Sequence, residues 1–111
     1  MASKYGISVN TVKNNFSKKD DAVVKVGVKN DNDFICGPHL CLEKLVNGKF
    51  KDMEMDSPNP LKPDQHKYDE WDMSYFDKGT YRFLVLAEKY DSKGNHVSTM
   101  GQFYSNEFKV N

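Results

Sequence analysis

The residues with the clearest chemical potential are two cysteines and a histidine in the segment CGPHLC, residues 36–41. Cys36 and Cys41 are five positions apart, and a tight turn at Gly37 and Pro38 would bring their Cα atoms within the roughly 4.4–6.8 Å that a disulfide requires. An oxidising compartment would join the pair, whereas a reducing one would keep two free thiols. Both states remain open, and in either one Gly37, Pro38 and His39 would form an exposed binding loop.

Cys36, His39 and Cys41 also allow a third interpretation, as metal ligands. Structural zinc sites use four ligands, commonly from two separated pairs, and the neighbouring sequence supplies no fourth. A catalytic dyad of Cys36 and His39 is disfavoured, because a base three positions away on a turn rarely points at the nucleophile. The chain also lacks a Gly-x-Ser-x-Gly motif. We therefore expect no cofactor, no bound metal and no enzymatic activity.

The charge balance narrows the class of partner. The 16 basic and 16 acidic residues cancel, so no overall field attracts nucleic acid or an anionic membrane surface. No apolar run approaches the ~20 residues of a membrane-spanning helix. We expect the partner to be another protein and the chain to be a monomer. We expect no binding to nucleic acid and no membrane insertion by this segment.

Alternation of apolar and polar residues is the dominant pattern along the chain. It is clearest in AVVKVGVKN, residues 22–30, and in TYRFLVLAEKY, residues 80–90, and this period of two is typical of half-buried strands. The closing segment FYSNEFKV suggests Tyr104 as a further inward residue, with a bulge near Ser105. The pattern places these residues in one core: Val24, Val26, Val28, Leu42, Trp71, Tyr81, Phe83, Val85, Phe108 and Val110.

Turn signals divide these strands. Asn47-Gly48 predicts a hairpin that joins strands at about 39–46 and 49–55, while three prolines make residues 56–63 a loop. Seven short strands and no credible helix predict an all-β antiparallel sandwich, a single domain over residues 1–111. Residues 1–4 are expected to be disordered or derived from cloning. In this arrangement CGPHLC protrudes as a loop between the second and third strands.

A local motif supports the sandwich. Asp77, Gly79 and Tyr81 stand two apart where a strand begins, as in the tyrosine corner of immunoglobulin-like domains. We expect the Tyr81 ring to lie inward and its hydroxyl to donate to a backbone carbonyl a few residues upstream. The alternative is an ordinary aromatic residue at a strand start.

The order of these motifs resembles the bacterial immunoglobulin-like domain family. LCLEKLVNGKF, LKPDQHKYDEWDMSYFDKGTYRF and FYSNEFKV are similar to its LEK…NGKW hairpin, LKPGE turn and PGKYR strand, over residues 21–110. A more distant similarity is to the intracellular proteinase inhibitor family. The sequence departs from the pattern at Asp64, where a glycine is usual, and at Cys36 and Cys41. Because the shared motifs are structural, the resemblance informs the fold more than the role.

The resemblance implies an extracellular or cell-surface protein that acts as a non-catalytic binding or spacer module. Such a module would contact a protein partner through its loops or a sheet face. The alternative is a proteinase inhibitor that inserts a rigid loop at residues 36–41 into a protease, since a preorganised loop lowers the cost of binding.

Overall fold

The computed structural model describes residues 2–19 and 22–111, and all regular structure in those residues is β-strand. The strands are β1 (Ala2–Lys4), β2 (Ile7–Thr11), β3 (Asn15–Phe16), β4 (Val23–Asn30), β5 (Cys36–Val46), β6 (Lys49–Met55), β7 (His66–Asp72), β8 (Gly79–Tyr90), β9 (His96–Tyr104) and β10 (Phe108–Val110). They form two sheets that pack face to face, which confirms the predicted all-β sandwich.

The first sheet has four strands in the order β1-β2-β4-β7, and the second has six. In the second sheet the order is β3-β10-β8-β5-β6, and β9 also pairs with β8. Every pairing is antiparallel except that of β3 with β10, which is parallel. The described chain has ten strands rather than the predicted seven, because its start and its end are each divided into shorter strands.

One core lies between the sheets. All ten residues that alternation places in it are buried, and they are joined by residues such as Ile7, Leu40 and Leu61. Tyr104 is an exception to the expected pattern, because it is exposed while Phe103 lies in the core. The cause is the interruption between β9 and β10, where the Phe83 N–H donates to Ser105 Oγ at 2.8 Å and alternation is not continued.

The prediction of a loop at residues 36–41 is wrong, because these residues form the first half of β5 and pair with β8. Proline has no N–H to donate to a neighbouring strand. Pro38 is tolerated in β5 because β6 pairs with β5 only from Cys41 onwards, so no strand lies along that edge of β5 at Pro38. At Gly37, a Cβ atom would lie 1.8 Å from the backbone oxygen of Asn59. Gly37 therefore permits a close chain crossing rather than a turn.

The turn at Asn47-Gly48 is confirmed. Both residues have positive φ, 52° and 81°, and they join β5 to β6 as the sequence predicts. Residues 56–63 form the expected loop, apart from one isolated bridge between Leu61 and Cys36. Residues 2–4 differ from the expected disordered start, because they form β1 and pair with β2.

Candidate functional site

Cys36 and Cys41 are both buried free thiols, so of the two states that the sequence leaves open the structure has the reduced one. An odd spacing on a strand directs the two side chains to opposite faces, and five residues of strand span roughly 16 Å. Cys36 lies in the core between the sheets, whereas Cys41 lies on the other face of β5. The pair is therefore too far apart to be bridged.

Neither thiol is suited to nucleophilic chemistry. Burial raises the pKa of Cys36, and it raises the pKa of Cys41 to about 11, with the carboxylates of Asp52 and Glu43 adding to the effect. The thiolate is the reactive form of cysteine, so both groups stay protonated near neutral pH. These residues act as small packing side chains.

His39 is held by the chain that follows β6. Its Nε2 atom lies 2.7 Å from the backbone oxygen of Asp56 and 3.9 Å from Asp56 Oδ1. His39 shares a face of β5 with Cys41 but not with Cys36, so the three residues considered as metal ligands do not converge. Within residues 2–19 and 22–111, no group of three or more His, Cys, Asp and Glu side chains is arranged to hold a metal ion.

The tyrosine corner has the predicted geometry. Tyr81 is fully buried, and its hydroxyl donates to the backbone oxygen of Asp77. Gly79 lies where a Cβ atom would meet the Lys44 side chain at 3.0 Å. The corner fixes the start of β8, the strand on which the second sheet is centred.

A polar cluster on the second sheet was not predicted. The Arg82 guanidinium carbon lies 3.8 Å from the ring centroid of Phe50 and 3.7 Å from that of Tyr104. Its Nε donates to Glu43 Oε1 at 2.7 Å, and the Glu43 carboxylate is itself nearly buried. This cluster, the Arg82 clamp, ties together β5, β6, β8 and β9.

Apolar side chains surround the Arg82 clamp on the solvent side of the sheet. Cross-strand partners share a face, and the ladder places Cys41 opposite Leu84 and Leu84 opposite Tyr104. Leu45 and Tyr104 are 37% and 44% exposed, and Met55 at the β6 edge is 51% exposed. We call this surface the outer face; it consists of Leu45, Phe50, Met55, Arg82, Leu84, Leu86 and Tyr104.

A concave feature lies beside β7. It is a groove of about 600 Å³ between the end of β6, the loop that follows it, and β7. We call it the β6–β7 groove. Its lining residues are Glu54, Met55, Asp56, Ser57, Pro58, Asn59, Lys67, Asp69, Glu70, Trp71 and Asp72.

Asp56 is the most perturbed carboxyl group of this groove. Burial raises its pKa to about 6, against the opposing effects of the hydrogen bond from the Leu40 N–H and the charge of His39. The Leu40 N–H donates to Asp56 Oδ1 at 3.0 Å, and Asp56 N donates to the Leu40 oxygen at the same distance. Asp56 thus continues the pairing with β5 one residue beyond the end of β6.

The described part of the chain contains no helix long and apolar enough to cross a membrane. No protein-family model and no curated protein sequence matches this chain.

Proposed function

We propose that this protein is a non-catalytic binding module of the bacterial immunoglobulin-like kind, and that it contacts a protein partner through the outer face. The observation that carries this proposal is the Arg82 clamp, an arginine held between two aromatic rings within a partly exposed apolar surface. Arginine and tyrosine are enriched among the residues that dominate binding energy at protein interfaces.

Preorganisation adds to this argument. An arginine that is free in solution loses side-chain freedom when it binds, at a cost of about 0.5–1.5 kcal/mol. Arg82 is already fixed by Phe50, Tyr104 and Glu43. A partner that packs on this surface would therefore order few side chains.

The family assignment is supported by the order of the sequence motifs, the two-sheet sandwich and the tyrosine corner at Tyr81. A location at the cell surface rests on that resemblance. The proteinase-inhibitor alternative loses its basis, because Gly37, Pro38 and His39 belong to β5 and form no protruding loop.

The test compares two double variants that are matched in the types of side chain they lose. Leu45→Ser with Tyr104→Ser changes the outer face, while Val12→Ser with Tyr75→Ser removes one aliphatic and one aromatic side chain from exposed positions elsewhere. Affinity capture from source-cell extract, followed by mass spectrometry, would name the proteins that the unaltered chain retains. Each would then be purified and titrated against both variants.

We expect the outer-face variant to bind at least tenfold more weakly and the control variant to bind as the unaltered chain does. Circular dichroism would establish that both variants are folded. The proposal is wrong if the unaltered chain retains no protein, or if the outer-face variant binds every retained protein with unchanged affinity.

A further inference from the structure

The β6–β7 groove lies where the two sheets end on the same side of the sandwich. β6 is the last strand of the six-stranded sheet, and β7 is the last strand of the four-stranded sheet. The chain between them passes from one sheet to the other and contributes residues 56–59 to the lining of the groove.

The groove exposes the edge of β7 and not only one of its faces. Consecutive residues Asp69, Glu70, Trp71 and Asp72 all line it, although successive side chains of a strand point to opposite faces. In the described residues, β7 pairs with β4 along one edge and with no strand along the other. Residues 67–72 span roughly 16 Å, which is room for an extended segment of about six residues.

The charge of the groove is one-sided. Among the described residues its carboxyl groups outnumber its amines, although the chain as a whole is electrically balanced. The ionisable lining residues in that part of the chain are Glu54, Asp56, Asp69, Glu70, Asp72 and Lys67.

Apolar contact is also available in the groove. Trp71 is 8% exposed at its base, and the exposed side chain of Met55 forms part of its rim. The stems of lysine and arginine pack on such surfaces while their charged ends reach carboxylates. The burial that disfavours the Asp56 carboxylate would be offset by a cationic side chain beside it.

We propose that the β6–β7 groove binds an extended, lysine- or arginine-rich segment of a partner protein. The open edge of β7 offers main-chain hydrogen-bonding groups to such a segment, and the carboxylates on both sides select its charge. Met55 belongs both to this groove and to the outer face, but none of the residues of the Arg82 clamp lines the groove, so the site does not depend on binding at the clamp.

Trp71 is the single tryptophan of the chain, and its fluorescence therefore reports occupation of the groove directly. The experiment titrates the full chain with heptalysine at low ionic strength, with heptaglutamate as the control peptide. We expect a saturable change in Trp71 emission with heptalysine alone, and an affinity that falls at least tenfold between about 20 mM and 200 mM salt.

Two double variants separate the groove from general attraction between charges. Glu70→Gln with Asp72→Asn removes two charges from the groove, and Glu107→Gln with Asp33→Asn removes two charges outside it. The Asp72→Asn side chain keeps an oxygen that can accept the hydrogen bond from the Ser74 N–H. We expect the groove variant to bind heptalysine at least fivefold more weakly and the control variant to bind it as the unaltered chain does.

Three outcomes would overturn the proposal. The first is an absence of any emission change with heptalysine, and the second is an equal loss of affinity in both double variants. The third is the same saturable change with calcium ions or spermine at matched concentration of charge, which would assign the groove to small cations.

Discussion

The two sheets are joined along one side of this sandwich and separated along the other. On one side the chain leaves the four-stranded sheet after β2, and β3 pairs with β10 in the six-stranded sheet, so the chain itself joins the two layers. Asn106 reinforces this closure, since its Nδ2 donates to Thr11 Oγ1 at 2.6 Å and to Asn14 Oδ1 at 3.0 Å. On the opposite side the β6–β7 groove separates the layers.

The difference shows where a small sandwich can accommodate a ligand. On the closed side, the main chain and amide side chains satisfy one another across the sheets. On the open side, the polar groups are mainly carboxylates that face solvent. Binding at the open side can therefore proceed without breaking the hydrogen bonds that join the layers.

The largest expected effect is at Gly37, which supports the open side. Gly37→Ala should lower the free energy of unfolding by about 3 kcal/mol or more, because the new Cβ would meet the backbone of Asn59. Gly101→Ala is the matched change near the closed side, where the obstacle is the Tyr5 side chain, which can swing away. Urea denaturation should show a loss of about 1 kcal/mol or less for Gly101→Ala, and equal losses would contradict this distinction.

The next effect concerns the closure itself. Asn106→Ala removes two donated hydrogen bonds and the acceptor of the Thr11 N–H, so it should destabilise the protein by about 2 kcal/mol. Hydrogen exchange should become faster at β3 while β5 and β8 keep their protection. Asn106→Asp retains the acceptor and should have a smaller effect; uniform exchange across all strands would show that Asn106 does not act as a local closure.

A smaller, pH-dependent effect is expected on the open side. The pKa of Asp56 is about 6 in the folded chain against an ordinary value of 3.8, so between these values the folded state holds the proton more firmly. Its contribution to stability is therefore present at pH 4 and declines as the pH rises to 6, by about 1–2 kcal/mol.

Asp56→Asn should abolish that decline and stabilise the protein at pH 7, because an amide keeps an acceptor for the Leu40 N–H without a buried charge. Urea denaturation of both proteins at pH 4 and pH 7 measures the difference. A parallel pH dependence in the two proteins would exclude Asp56 as its source.

The smallest expected effect is at Asn59, whose amide donates to Asp69 at 3.1 Å and accepts from Lys67 at 3.2 Å. These bonds span the open side but are near solvent, so Asn59→Ala should cost less than about 1 kcal/mol. Thermal unfolding would measure it. A loss as large as that of Asn106→Ala would mean that the two sides are closed equally well.

The sequence was sufficient to predict the core and one hairpin. Buried residues alternate with exposed ones in β4 because one face of the strand packs in the core, as at Val24, Val26 and Val28. The turn at Asn47-Gly48 is predictable because both residue types readily adopt the positive φ that it requires. These features depend on local conformation and on burial, both of which leave a periodic signal.

Other features depend on distant parts of the chain. Gly37 and Pro38 have the local signature of a turn, but a crossing chain at Asn59 and the short length of β6 determine their role. The Arg82 clamp joins four strands, and the hairpin register determines only which residue of β5, Leu45, lies opposite Phe50. The groove forms between two sheets, so no single segment could reveal it.

An unpaired strand edge also invites aggregation, since it can add a strand from a second copy. Lys67 and Asp69 pair with Val28 and Val26, whose side chains are buried, so these two charged residues share the inner side of β7. A second copy stacking against this edge would have to remove both charges from water, without the many cationic side chains that the proposed segment would bring to the carboxylates. The protein can therefore keep the edge open at high concentration with little tendency to polymerise.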